Sequence, residues 1–254
     1  MNILDRIVRD VEQEVKRRLE TRPYEHIRPP RPKLKLSRAI SESPILIAEV
    51  KRASPSLGGI RPNVDPLSLA AEMVDGGAGA LSVLTERIHF QGDPLFLHRL
   101  ARHVQVPLLM KDFVIHPYQL EEAYRLGADA VLLIARVLDD RLPEFVDRTL
   151  ELGMEPLVEV FDEAELRRAL QTRAQLIGIN NRDLATMRID LGRTERLAPL
   201  VPQDRAVISE SGIATPADVK RVLRAGARAV LVGTAIMRAP DIRLKVRELV
   251  EAIS

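Results

Sequence analysis

Two lysines end apolar runs in a chain that uses lysine sparingly. Of 38 basic residues only 7 are Lys, and the rest are Arg. Arginine keeps its proton throughout the working pH range, whereas lysine can titrate, so a lysine kept at a special position is a candidate for proton chemistry. Lys51 follows the run 45–50 and Lys111 the run 108–110. Other polar residues interrupt or end comparable runs. Glu49 lies two residues before Lys51, and Glu159 sits between Val158 and Val160. Asn180-Asn181-Arg182-Asp183, Ser209-Glu210-Ser211-Gly212 and Gly233-Thr234 close three more. Brought together, three carboxylates and two amines supply both acids and bases, because burial and mutual pairing shift their pKa values. Singly, each has a structural reading: Lys111 paired with Asp112, Glu49 or Glu210 in a salt bridge, Asn180-Asn181 in a turn. Surface-turn chemistry does not explain charged residues at the same end of five strands.

The elements that must position them alternate. Near-continuous Val/Ile/Leu runs at 45–50, 80–84, 108–110, 130–134, 157–160, 176–179, 206–208 and 229–232 suit strands buried on both faces of a parallel sheet. Amphipathic stretches of helical length separate them, at 66–75, 94–103, 117–126, 141–152, 162–170, 192–200, 216–225 and 241–252. Pro66, Pro94, Pro117 and Pro216 stand at helix starts, where a missing N–H costs nothing. Gly-Ala-x-Ala recurs at Gly77, Gly127 and Gly226, ending a helix and turning the chain into the next strand. Eight βα units predict one closed (β/α)8 TIM barrel spanning residues 1–254, with an N-terminal helical extension over 1–44. In that extension a helix at 3–19, packed over one end of the barrel, leads to a Pro-rich connector at 28–32. No G-x-G-x-x-G follows the first strand, which disfavours a dinucleotide fold.

In such a barrel the site lies at the C-terminal ends of the strands. Glu49 and Lys51 share a face by parity, pointing inward with Val50 outward, and Glu159 points inward above Leu157. The long segment 52–60, with Ser54 and the Gly58-Gly59 pair, reads as a hinged lid. Gly212 and Gly233, after strands seven and eight, stand where backbone N–H groups often bind phosphate, with Ser54, Ser211 and Thr234 as added donors.

Composition narrows the class. With no Cys there is no disulfide framework and no Cys-ligated zinc or iron–sulfur site. No apolar run approaches the roughly 18 residues of a membrane span, and the charged first ten residues lack a signal-peptide core. A net charge of +2 makes no case for nucleic acid, although residues 1–40 hold 11 Lys/Arg against 6 Asp/Glu. The expectation is a cytoplasmic globular protein, monomer or weak homodimer, with a small-molecule partner and neither nucleic acid nor membrane.

The ordered motifs resemble one family. The run from Ile47 to Ser56, Phe90-Gln91-Gly92, Leu109-Met110-Lys111-Asp112-Phe113 and the run from Asp129 to Ile134 are similar to indole-3-glycerol-phosphate synthases. So are Leu157-Val158-Glu159-Val160, the run from Gly178 to Leu184, Ser209-Glu210-Ser211-Gly212-Ile213 and Leu231-Val232-Gly233. The resemblance implies a lyase of tryptophan biosynthesis that closes the indole ring of 1-(2-carboxyphenylamino)-1-deoxyribulose 5-phosphate, releasing carbon dioxide and water. It implies no metal and no organic cofactor. It implies catalytic roles for Lys111, Lys51, Glu159, Glu49, Glu210 and Asn180. It implies substrate contacts from Ser54, Phe90, Arg182, Ser211, Gly212, Gly233 and Thr234, the last standing where many members have Ser or Glu. Within this resemblance Lys111 is the acid at the ketone, with Lys51 as acid and Glu159 as base in the dehydration as one assignment. Phosphoribosylanthranilate isomerase shares the fold and phosphate site but uses a cysteine base, which this chain lacks. A non-catalytic or redesigned barrel would be expected to have lost the charged residues at its strand ends.

Overall fold

The computed structural model describes residues 3–51, 53–54, 58–59, 64–183 and 186–253. Eight parallel strands close on themselves: β1 Ile45–Val50, β2 Ala80–Leu84, β3 Leu108–Lys111, β4 Ala130–Ile134, β5 Glu155–Val160, β6 Leu176–Asn180, β7 Ala206–Glu210 and β8 Ala229–Val232. Each pairs with its sequence neighbour, and β1 joins β8 through Ile45 opposite Ala229. Alternation along the strands makes two apolar layers. Ile47, Leu109, Leu132, Leu157, Ile208 and Leu231 fill the barrel interior. Leu46, Ala48, Val50, Val131, Val158 and Val230 face the surrounding helices.

Local chemistry sets the element ends. Asp65, Asp93, His116 and Thr215 each accept a backbone N–H at a helix start, and each is followed by proline at the first helical position. Gly77, Gly127 and Gly226 adopt φ of 102°, 95° and 109°, so the repeated return needs glycine for its left-handed turn. Four strands run further than the apolar pattern indicates, three of them at their C-terminal ends, taking in Lys111, Asn180 and Glu210, and one at its start, from Glu155. The ladder is made by backbone groups, so a polar side chain at the barrel mouth does not end it.

The N-terminal extension holds two helices, one more than the pattern predicts. They serve opposite ends of the barrel. Helix α1, Ile3–Thr21, buries Ile7, Val11 and Val15 at the C-terminal mouth. Helix α2, Leu36–Glu42, plugs the bottom with Leu36 and Ile40. Ser37 bonds Glu155 at the start of β5, and Arg228 reaches the Ile40 carbonyl. The connector runs down the outside between them. Arg31 forks onto the buried Asp129 at 2.7 and 3.1 Å, and Lys33 caps carbonyls of Tyr124 and Ala128.

Helix α1 is clamped by Arg18, which meets Glu122 of the helix Pro117–Leu126 at 2.6 Å. Burial pushes the Glu122 carboxyl up to about 7, against the opposing pull of Arg18. Between its ordinary value of 4.5 and about 7 the folded chain holds a proton that the unfolded chain has released. Stability attributable to this group is therefore full below that window and lost as pH rises through it, by roughly 3 kcal/mol at 1.36 kcal/mol per unit. Urea unfolding of wild type and Glu122→Gln at pH 4.5 and 7.5 checks this. The variant should lose less stability across the interval, and identical losses would dismiss the assignment.

Candidate active site

A cavity of about 420 Å³ opens at the C-terminal ends of the strands, roofed on one side by Ile3, Leu4 and Ile7 of α1. Neighbouring strand ends deliver its charged groups, as their parity requires. Lys51 Nζ lies 2.7 Å from Glu49 Oε1. Lys111 Nζ lies 2.8 Å from Glu210 Oε2 and 3.5 Å from Glu159 Oε2. Asn180 Nδ2 donates to the other Glu159 oxygen at 3.1 Å. Glu49, Glu159, Asn180 and Glu210 are all buried. Buried charges at such spacing persist only by pairing, and here each lysine meets at least one carboxylate.

The electrostatics follow from who faces whom. Burial disfavours the Lys111 cation, but Glu210, Glu159 and Glu49 outweigh it, and its pKa rises above the ordinary lysine value. Burial likewise raises Glu49, and Lys51 with Lys111 reverses this, so its carboxyl ends below the usual range. Burial pushes Glu210 up to about 7 despite Lys111 beside it, helped by the Glu159 and Glu49 charges. Its Oε1 is buried and has no hydrogen-bond partner among the described residues. The site thus contains a firmly protonated amine, an ionised carboxylate and a carboxyl poised near neutrality.

The remaining walls differ in character. Phe90 and Phe113, 6.0 Å apart between ring centroids, make an apolar side with α1. Arg182 is half-buried over the same space; its backbone N–H donates to Asn180 Oδ1, and its guanidinium reaches the Met187 carbonyl. Desolvation lowers its pKa, opposed by Glu49. Opposite the apolar side stand Ser211, Gly212, Gly233 and Thr234. Ser211 and Gly212 both have positive φ, 67° and 84°, which turns the strand end sharply along the cavity wall. Asp112 is not an ion-pair partner of Lys111: it accepts from Thr85 Oγ1 at 2.6 Å and from the Phe113 N–H. The Ser54 side chain lies outside the described residues, as does most of the segment 52–60. Gly58 and Gly59, read as a hinge, pair with Ser54 and Ala53 in a short antiparallel ladder.

Three supporting residues were given no role in the site from sequence. Gly178 lies under Glu210, where an added Cβ would come within 2.2 Å of Glu210 Oε1. Asn181, read as a turn residue, is fully buried and ties two strand ends together. Its amide donates to Ser209 Oγ and to the carbonyls of Glu210 and Ser211, and its Oδ1 accepts from Thr194. Arg193 stacks 3.6 Å from the centre of the Phe161 ring and donates to the Asn180 carbonyl. Gly178 falls inside the Gly178–Leu184 run and was the most legible of the three, since a glycine in a central strand marks close approach by another group.

Fold and cavity together define a (β/α)8 barrel whose cavity gathers paired lysines and carboxylates at the C-terminal ends of its strands. Residues 4–249 match the family model described as Indole-3-glycerol phosphate synthase. The chain belongs to the indole-3-glycerol phosphate synthase family. A relative of that name from Dehalococcoides mccartyi is 44% identical over 97% of this chain and 99% of its own. Another from Rhodopirellula baltica is 46% identical over 84% and 83%, and one from Caldanaerobacter subterraneus is 40% identical over 96% of each. Among solved structures, a 3-hexulose-6-phosphate synthase from Salmonella typhimurium superposes with a TM-score of 0.68 at 15% identity, covering 82% of this chain and 98% of that one. A thiamine phosphate pyrophosphorylase from Pyrococcus furiosus does so at 0.62 and 18% identity, covering 84% and 96%. Identities this low speak for the barrel fold alone. No helix among the described residues is long and apolar enough to cross a membrane.

Proposed function

We propose that this cavity closes the indole ring of 1-(2-carboxyphenylamino)-1-deoxyribulose 5-phosphate, giving indole-3-glycerol phosphate, carbon dioxide and water. The observation that carries the reading is Lys111, a cation held between Glu210 and Glu159 in a cavity with an apolar aromatic side and a glycine-bearing polar end. The anthranilate ring packs on Phe90, its carboxylate meets Arg182, and Asn180 takes a sugar hydroxyl. The phosphate lies with Ser54, Ser211, Gly212, Gly233 and Thr234. Binding at that remote end holds the reacting carbons together.

The roles follow from charge. The ring carbon bearing the carboxylate attacks the ketone carbon, and negative charge grows on the ketone oxygen. A lysine kept protonated by three carboxylates stabilises that charge first and gives up its proton once an alkoxide, far more basic than an amine, has formed. The carboxylate then leaves as carbon dioxide, its bonding pair returning to the ring and restoring aromaticity. Loss of water completes the product. Lys51 protonates the departing hydroxyl, and Glu159 removes the proton from the carbon beside nitrogen. Glu49 keeps Lys51 in place, and Glu210 orients Lys111. The enzyme works in the cytoplasm on this anthranilate-derived sugar phosphate, as a monomer or weak homodimer, without nucleic acid or membrane.

The chain has no Trp, so indole emission reports product against a dark background. Adding the substrate to purified protein should give a rising indole signal. A flat signal while the substrate still binds would reject the proposed reaction.

A further inference from the structure

We propose that Arg238 is a phosphate-binding residue of this cavity, a cation that sets affinity for the phosphorylated end of the substrate and takes no part in the bond-making steps. The inference rests on reading the Ser211–Gly212 and Gly233–Thr234 end as the phosphate subsite.

Charge balance makes the first case. The described residues lining the cavity include four carboxylates, Glu49, Asp112, Glu159 and Glu210, and four cations, Lys51, Lys111, Arg182 and Arg238. Both lysines are engaged by carboxylates. Neither Arg182 nor Arg238 has a carboxylate within 4.0 Å among the described residues. A substrate of this class brings two anionic groups, a ring carboxylate and a phosphate monoester of roughly −1.5 to −2 charge at neutral pH. Without Arg238, Arg182 would be the one described lining cation without a carboxylate within 4.0 Å, against two anionic groups on the substrate. With Arg182 assigned to the ring carboxylate, Arg238 is left for the phosphate.

Helix geometry makes the second. Arg238 ends the short helix Thr234–Arg238 that follows β8 directly. Thr234, Ala235 and Arg238 all line the cavity, the spacing that one face of a helix presents. Long side chains on a helix lean toward its N-terminus, which from position 238 is the direction of Thr234 and the Gly233 backbone. Its planar fork suits two phosphate oxygens. The residue is exposed, so this reach is open to an entering ligand.

Kinetics with the phosphorylated substrate and with its dephosphorylated counterpart test the proposal. Arg238→Ala should lower kcat/KM for the phosphorylated substrate roughly 10- to 100-fold, as loss of a charged hydrogen bond does, with most of the change in KM. Arg238→Lys should recover part of the loss. On the dephosphorylated substrate wild type and Arg238→Ala should perform alike. Inorganic phosphate should raise the Tm of wild type and fail to do so for Arg238→Ala. If wild type discriminates strongly between the two substrates and Arg238→Ala does so equally, the role given to Arg238 is overturned while the subsite stands. If wild type does not discriminate and its Tm ignores phosphate, the subsite reading itself falls, and Arg238 with it.

Discussion

Replacing Lys111 with alanine is expected to lower kcat by about 10²- to 10⁴-fold, the usual worth of a positioned acid, and to leave the barrel folded. Removing a buried cation normally leaves its partners as uncompensated charges. Here Glu210 already titrates near 7 and takes up a proton when Lys111 is gone, which limits the structural damage. Lys111→Arg should fail almost as badly. It keeps a positive charge between Glu210 and Glu159 but has no proton to release, and its planar head does not fit a site shaped around a single nitrogen. Steady-state turnover of both variants, with far-UV circular dichroism as the folding control, decides the matter. Near-wild-type kcat in Lys111→Ala would remove Lys111 from the chemistry. High activity in Lys111→Arg would show that charge alone suffices.

The second large effect is expected at a residue with no side chain. In Gly178→Ala the new Cβ comes within 2.2 Å of Glu210 Oε1 and 3.3 Å of Leu157 Cδ1. The clash is with the far end of a flexible acid, so the fold gives way cheaply, with Tm moving by only a few degrees. The active site does not give way cheaply. Glu210 must swing aside, and its 2.8 Å contact with Lys111 breaks. A fall in kcat of roughly 100-fold is expected, since misplacement by about 1 Å costs that much in a preorganised site. Adding Glu210→Asp should recover part of the loss, because the shorter acid clears the new methyl. Such coupling is what a double-mutant cycle measures. Strictly additive losses, or a Gly178→Ala enzyme with unchanged kcat, would show that Gly178 does not seat Glu210.

These two residues also mark what the sequence discloses. The charged residues were legible because each breaks an apolar run, and parity then aimed them at one mouth. The eight strands were legible because burial on both faces leaves uninterrupted Val/Ile/Leu. Helix α2 was not: seven residues give about two turns, too few to stand out beside a Pro-rich connector. Asn181 was not, because an asparagine after a strand has the same local signature whether it turns in solvent or bridges two strands from the core. Its partners Thr194 and Ser209 lie 13 and 28 residues away and are found only by folding. Pairing of Arg18 with Glu122, 104 residues apart, is hidden for the same reason.

The strap that joins the two ends of the barrel has a consequence for synthesis. Helix α1 is synthesised before the barrel strands, yet the surfaces beside Ile7 and Val11 are supplied by later segments around Thr85, Asp112 and Phe113. The floor that receives α2 waits longer, for the strand that begins at Ala206 and for Arg228. At roughly 5–20 residues per second the nascent chain carries these apolar faces unpaired for on the order of ten seconds or more. A segment that finally roofs one side of the mouth and plugs the bottom is thus, for much of its early life, the part most in need of a chaperone.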